Sequence, residues 1–145
     1  MSDTILIVDN DSTCRTILTL SLQSSGWEII NAQCGSDALD LLEKTPFDLV
    51  VTDLQTPKMN GIDIIKEIRT LPQHANTSIV ILTTETGELL KIEARTVGAT
   101  AWIEKVFEID ELLALVKKAL SIRSAASLTQ SLSPSIDKKQ DIHLL

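Results

Sequence analysis

Five short stretches of the chain are nearly all apolar and rich in β-branched residues. Three of them are strong, namely ILIVD at 5–9, FDLVVTD at 47–53 and SIVILTT at 78–84. Two are weaker, namely WEIINA at 27–32 and AWIEK at 101–105. Continuous apolar runs of this length are typical of strands that are buried on both faces of a parallel sheet. The pattern therefore predicts five parallel strands.

Between these stretches the apolar residues recur at helical spacing. In the last helix one face carries Ile109, Leu112, Leu113, Val116 and Leu120. Strand and helix alternate five times, which is typical of a doubly wound α/β domain. Right-handed crossovers place the helices on both faces of such a sheet. We therefore predict an α/β fold built on a five-stranded parallel sheet.

The helical pattern stops near residue 122. The stretch that follows, RSAASLTQSLSPSIDKKQDIHLL, is rich in serine and shows no sustained period. Such a composition is typical of a linker or a weakly docked extension. We interpret residues 1–122 as one domain and residues 123–145 as a polar tail or linker.

Composition narrows the possible partners. The 145 residues carry a formal net charge of -7 and no visible stripe of Lys and Arg, so we expect no direct contact with nucleic acid. No apolar run approaches the roughly 18 residues of a membrane span, and the start MSDT lacks the basic character of a signal peptide. We expect a cytoplasmic protein without membrane contact, in which Cys14 and Cys34 are free thiols and His74 and His143 are solvated.

Four polar residues lie at or just after the ends of predicted strands, namely Asp9, Asp53, Thr83 and Lys105. Ligands of an open parallel sheet collect at the carboxyl ends of its strands. Two carboxylates about 4 Å apart repel by roughly 4 kcal/mol at an effective dielectric constant near 20, so this pair calls for a cation such as Mg²⁺. A carboxylate beside the metal can attack a phosphoryl group, whose oxygens Thr83 and Lys105 can bind. The alternative, that the acids merely start helices, explains neither Thr83 nor Lys105.

The segments VDN, TDLQTPKMNG, ILTTE and GATAWIEKVF, spread over about residues 3–122, resemble the response-regulator receiver family, in particular its single-domain chemotaxis type. The resemblance implies the flavodoxin-like strand order 2-1-3-4-5. It also implies two-component phosphorelay signalling, in which a histidine kinase supplies a phosphoryl group and the affinity for a downstream effector protein changes. We accordingly expect a signalling module rather than an enzyme.

The resemblance assigns roles to individual residues. It implies that Asp53 is the phosphoacceptor and that Mg²⁺ is bound by Asp9, Asn10, Asp53 and the backbone carbonyl of Gln55. It further implies that Thr83 is the switch hydroxyl and Lys105 the phosphate-binding lysine. Trp102 matches the switch aromatic, although an aromatic residue on a strand can also be an ordinary core residue.

Two positions depart from the family pattern. Asn10 stands where a second acid is usual, which keeps an oxygen ligand but removes a charge. Val106 stands where a proline in a cis peptide is usual, and a cis bond before any other residue costs about 2.5–4 kcal/mol. We therefore expect a trans bond at 105–106, with Lys105 shifted or pointing to water when the site is empty. A phosphate-independent pseudo-receiver that acts as a binding module is thus an alternative.

The opening stretch D9-N10-D11-S12-T13 also matches the first motif of haloacid-dehalogenase phosphatases. In that interpretation Asp9 is the nucleophile and Asp11 the acid/base. The phosphatases need a further acidic pair at the end of a strand after the lysine, whereas VFEIDELLALVKK has a helical pattern. This alternative also leaves Asp53 unexplained, so we expect Asp11 to be a helix-start acid.

Overall fold

The computed structural model describes residues 3–56, 59–84, 87–105, 107–125 and 143–144. The strands are Thr4–Val8 (β1), Glu28–Ala32 (β2), Leu49–Asp53 (β3), Ser78–Thr83 (β4), Ala101–Glu104 (β5) and His143–Leu144 (β6). The helices are Ser12–Gln23 (α1), Gly35–Lys44 (α2), Gly61–Thr70 (α3), Glu88–Val97 (α4) and Ile109–Ala125 (α5). A short 3-10 turn, Pro72–His74, precedes β4.

The strands form one sheet in the order β2-β1-β3-β4-β5-β6. Strands β1 to β5 run parallel, so the predicted five-stranded order 2-1-3-4-5 is confirmed. Strand β6 was not predicted, and it pairs antiparallel with β5 through Ala101 opposite Leu144 and Trp102 opposite His143. Helix α5 runs past residue 122 to Ala125. The division of the chain at residue 122 into a domain and a tail stays a prediction.

Both faces of the sheet are covered, as the apolar runs predicted. Successive residues of β1 point to opposite faces, so that Leu6 and Val8 join one core cluster and Ile5 and Ile7 join the other. The first cluster includes buried residues of α2, α3 and α4, and the second includes buried residues of α1 and α5. Within the described ranges, no helix is long and apolar enough to cross a membrane.

The prediction that His74 is solvated is wrong. The side chain is fully buried, with Nδ1 2.9 Å from Thr77 Oγ1 and Nε2 3.1 Å from the carbonyl oxygen of Leu42. Leu42 lies in the last turn of α2, where helix carbonyls lack partners within the helix. His74 therefore caps α2 from a loop whose polar sequence suggested solvent exposure. His143 belongs to β6, and its side chain lies outside what the structure describes.

Candidate functional site

The four strand-end residues lie at the carboxyl ends of four parallel strands. Asp9 follows β1 directly, Asp53 ends β3, Thr83 ends β4 and Lys105 follows β5. Because β1, β3, β4 and β5 are consecutive neighbours in the sheet, these ends form one edge. The residues that the sequence predicted as a site are therefore brought to one end of the molecule.

Lys105 bridges the two aspartates. Its Nζ donates hydrogen bonds to Asp53 Oδ2 at 3.0 Å and to Asp9 Oδ2 at 3.1 Å. Burial alone would lower the pKa of Lys105, but hydrogen bonding and attraction to Asp53 and Asp9 outweigh it, and the pKa is raised. Lys105 is therefore a charged ammonium group at neutral pH. The expectation that Lys105 points to water is wrong, because two carboxylates in so small a space need a compensating charge.

The remaining oxygens of the two carboxylates are held by backbone amides. Asp9 Oδ1 accepts from the Asp11 N–H at 2.9 Å, and Asp53 Oδ1 accepts from the Gln55 N–H at 3.1 Å. The Asp9 backbone carbonyl accepts from the Arg15 guanidinium at 2.6 Å. These contacts fix the loops that follow β1 and β3, and with them the direction of each carboxylate.

Asp11 is the N-cap of α1. Its side chain accepts a hydrogen bond from the Thr13 N–H at 3.0 Å, which satisfies one of the free amides at the start of the helix. The prediction of a helix-start acid is confirmed. The segment after Lys105 that the phosphatase alternative required as a strand contains helix α5.

Gly61 is a site residue that the sequence analysis missed. Its N–H donates to the Leu54 carbonyl at 2.7 Å, which closes the turn after Asp53. A Cβ atom at this position would lie 2.8 Å from Leu54 Cα and 2.9 Å from the backbone oxygen of Asp53. Only glycine fits so close to the backbone that carries the second carboxylate. The sequence does show a glycine at the end of TPKMNG. The reason that this residue must be glycine is its contact with the backbone of residues 53 and 54, which the sequence does not reveal.

Cys14 lies half-buried beside Asp9. Burial and the neighbouring Asp9 carboxylate raise the pKa of this thiol to about 12. The thiol is therefore protonated at neutral pH and can donate a hydrogen bond to Asp9. The sequence predicted a free thiol but not its place at the site.

Thr83 and Trp102 are both fully buried. The Trp102 ring belongs to the core cluster beneath α2, α3 and α4, and Lys91 Nζ of α4 lies 5.9 Å from the ring centroid. The indole Nε1 is buried and has no hydrogen-bond partner among the residues that the structure describes. The core interpretation of Trp102 is therefore confirmed for this conformation. A role in switching would have to begin from this buried position.

The donor set suits a small divalent cation. The Asp9 and Asp53 Oδ2 atoms converge on one point, which the Lys105 ammonium now satisfies, and the three side chains together carry a charge of about -1. Within the described ranges, no group of three or more His, Cys, Asp or Glu side chains could hold a metal. A cation here would therefore need amide, backbone or water oxygens in addition to the two carboxylates, a mixture that Mg²⁺ accepts. The 105–106 peptide bond, which was predicted to be trans, lies outside the described residues.

A doubly wound α/β domain with two aspartates and a lysine at one strand edge defines a class of phosphate-handling signalling modules. The family model for the response regulator receiver domain matches residues 5–117. The chain belongs to the response regulator receiver family. Receiver domains are signalling modules that act in phosphorelays, bind Mg²⁺ in their active site and interact with histidine kinases and downstream effectors.

Individual relatives support the same assignment. Sporulation initiation phosphotransferase F of Bacillus subtilis (strain 168) is 36% identical over 125 residues, which cover 86% of this chain and 98% of that protein. The alkaline phosphatase synthesis transcriptional regulatory protein PhoP of the same strain is 33% identical over 141 residues, 97% of this chain but only 55% of PhoP. The structure of the chemotaxis response regulator CheY4 of Vibrio cholerae superposes with a TM-score of 0.79 at 34% identity, over 82% of this chain and 99% of that one.

Proposed function

We propose that Asp53 is the phosphoacceptor of this receiver and that its phosphorylation by a histidine kinase changes the affinity of the protein for a downstream effector. The observation that carries the proposal is the position of the Asp53 carboxylate, 3.0 Å from Lys105 Nζ at the carboxyl end of β3. A phosphoryl group on this carboxylate would lie within reach of a fixed cation.

The exposure of the two side chains favours Asp53 over Asp9 as the phosphoacceptor. The Asp53 side chain is 14% exposed and that of Asp9 only 2%. A nucleophile must be reached by a phosphodonor as large as a kinase domain, and the buried Asp9 carboxylate is a poor candidate. We therefore assign Asp9 to metal binding and give no support to the phosphatase interpretation, in which Asp9 would be the nucleophile.

The transfer step is a simple substitution at phosphorus. A carboxylate oxygen of Asp53 attacks the phosphorus of a phosphohistidine, and the P–N bond breaks with its electron pair going to the imidazole nitrogen. The product is an acyl phosphate on Asp53. Lys105 would turn its ammonium to a phosphoryl oxygen, and the buried Thr83 hydroxyl at the end of β4 would bind another.

Mg²⁺ would be held by Asp9, Asp53, the side-chain oxygen of Asn10 and the backbone carbonyl of Gln55. When bound, the metal would neutralise charge on the phosphoryl oxygens during the transfer. Asp9 and Asp53 orient their oxygens through the amides of Asp11 and Gln55, so these two ligands are preorganised. Asn10 is exposed and contributes no charge.

The departure at Asn10 keeps a second candidate function open. A site with one acid fewer binds Mg²⁺ more weakly, and a receiver that never reaches useful metal occupancy would act as a phosphate-independent pseudo-receiver. Such a protein would bind its partner equally well with and without phosphate. The cytoplasmic location and the absence of turnover on a separate substrate stay predictions.

Labelling with radioactive acetyl phosphate and Mg²⁺ tests the assignment. The unmodified chain should be labelled and Asp53→Asn should not, while thermal melts check that the variant is folded. Asp11→Asn is the matched control, because it removes the same charge at the same end of the sheet and should keep the label. Label that survives in Asp53→Asn but is lost in Asp9→Asn would favour the phosphatase. A folded chain that neither acetyl phosphate nor kinases label would be the pseudo-receiver.

A further inference from the structure

The outer edge of β5 is occupied by a distant part of the same chain. Strand β5 would otherwise end the parallel sheet, but residues 143–144 pair with it in antiparallel orientation. An uncovered edge strand presents a row of backbone N–H and C=O groups that can pair with another strand. The occupied edge therefore raises the question of what β6 does there.

Backbone alternation indicates which groups β5 offers. The Lys105 N–H donates to the Thr83 carbonyl of β4 at 2.9 Å, and Trp102 is paired with Ile81 across the two parallel strands. In this register the amides of Ala101 and Ile103 point to β4, as that of Lys105 does, and the amide of Trp102 points to the opposite, outer edge. Trp102 is the residue opposite His143. This pair is accordingly expected to exchange both hydrogen bonds.

The two edges of the parallel sheet differ in their protection. Strand β2, at the far edge, carries the exposed polar residues Glu28 and Asn31. In β5 the residues Ala101, Trp102 and Ile103 are all buried, and only Glu104 at its end is exposed. Polar and charged side chains on an edge strand discourage pairing with other strands. Strand β5 lacks such side chains along most of its length, so its outer edge can pair with a further strand more readily than the edge of β2.

We propose that the outer edge of β5 is a strand-binding surface whose ligand is the chain's own 143–144 segment, docked through backbone hydrogen bonds. This intramolecular strand covers the edge and keeps it from pairing with other molecules. Its docking also involves the backbone of Trp102, whose ring lies against Lys91 of α4. The proposal does not depend on Asp53 being the phosphoacceptor.

Amide hydrogen exchange in the full chain tests the docking. His143→Pro removes the amide that pairs with Trp102, whereas His143→Ala keeps it. In His143→Pro the Trp102 amide should exchange at least about tenfold faster, and the Ala101 amide, which faces β4, should not change. His143→Ala should keep most of the protection. Unchanged Trp102 exchange in His143→Pro, or an equal loss in His143→Ala, would overturn backbone docking.

A peptide added in trans tests the binding surface itself. The peptide of residues 137–145, DKKQDIHLL, added to isotope-labelled His143→Pro protein, should shift resonances of residues 101–103 and slow the exchange of Trp102. The same peptide with proline at the position of His143 should do neither. Failure of the unmodified peptide to bind at millimolar concentration would overturn the proposal. Trp102 protection that rises with protein concentration would also overturn it, because the occupant would then be a second copy.

Discussion

The ammonium group of Lys105 and the carboxylate of Asp53 lie 3.0 Å apart although strand β4 separates the strands that carry them. Neighbouring strands are about 4.8 Å apart, so the lysine and aspartate side chains together bridge roughly 10 Å across the end of β4. The same ammonium lies 3.1 Å from Asp9. One long cationic side chain thus holds the carboxylates of two neighbouring strands together, and a metal ion would compete with it for the same oxygens.

Removing this cation should destabilise the protein unless a metal replaces it. Without Mg²⁺, Lys105→Met should lower the free energy of unfolding by about 2 kcal/mol, because two hydrogen-bonded carboxylates lose their shared donor. Added Mg²⁺ should stabilise this variant more than the unmodified chain. Denaturant melts with and without Mg²⁺ measure both effects. Lys118→Met, on the exposed face of α5, is the control, and an equal Mg²⁺ response in the two variants would contradict the competition.

Restoring the missing acid should tighten Mg²⁺ binding. Asn10→Asp adds a direct anionic ligand worth roughly 1.4–3 kcal/mol, which is about tenfold to more than a hundredfold in Mg²⁺ affinity. A titration followed by tryptophan fluorescence or calorimetry measures this change. Asn76→Asp adds the same charge in the exposed loop before β4 and should leave the affinity unaltered. Equal Mg²⁺ affinities of Asn10→Asp and the unmodified chain would show that residue 10 is not a ligand.

The close approach at Gly61 should make this position intolerant even of alanine. Gly61→Ala places a methyl group 2.8 Å from Leu54 Cα, so the turn after Asp53 must move, at a cost of about 1–3 kcal/mol. Labelling of Asp53 by acetyl phosphate should slow as well. Gly87→Ala is a matched control, since its new Cβ would meet no atom within 4 Å among the described residues. Similar melting temperatures and labelling rates for the two variants would refute the steric account.

The environment of Trp102 should report occupancy of the site. With Trp27→Phe as background, a beryllofluoride phosphate mimic should change the emission of Trp102, because a group at Asp53 that binds the Thr83 hydroxyl repacks the adjacent core. Thr83→Ala should abolish the change while Mg²⁺ still binds. If emission and partner affinity both stay constant at confirmed full phosphorylation, this switch is absent.

The thiol of Cys14 should resist alkylation. With its pKa raised to about 12, only about a thousandth of it is thiolate at pH 9. Iodoacetamide followed by peptide mapping should therefore modify Cys34 well before Cys14. The unfolded thiol ionises from about pH 9 while the native one stays protonated, so this group costs stability as pH rises from 9 to 12. Cys14→Ala should flatten that loss, and an unchanged pH profile would contradict it.

The parallel strands and the strand-end residues were predictable because both follow from local patterns. A buried strand needs a continuous apolar run, and parallel strands bring their carboxyl ends together whatever the loops do. The contacts of Gly61 and His74 were not predictable in this way. Each depends on a backbone group that only the folded chain brings close, the Leu54 backbone for one and the Leu42 carbonyl for the other. The prediction that Lys105 points to water rested on Val106, which replaces the usual proline. It left out the charge of the aspartate pair, which attracts the ammonium group.

The buried His74 lies at the amino end of β4, whereas Asp53 lies at the carboxyl end of β3, so the two occupy opposite rims of the sheet. Random mutagenesis should therefore yield two separable kinds of allele. Substitutions around His74 should give a temperature-sensitive phenotype. Signalling should return when the host is grown at low temperature, because these substitutions reduce only the stability of the fold. Substitutions around Asp53 should abolish signalling at every temperature while the protein accumulates to its normal level.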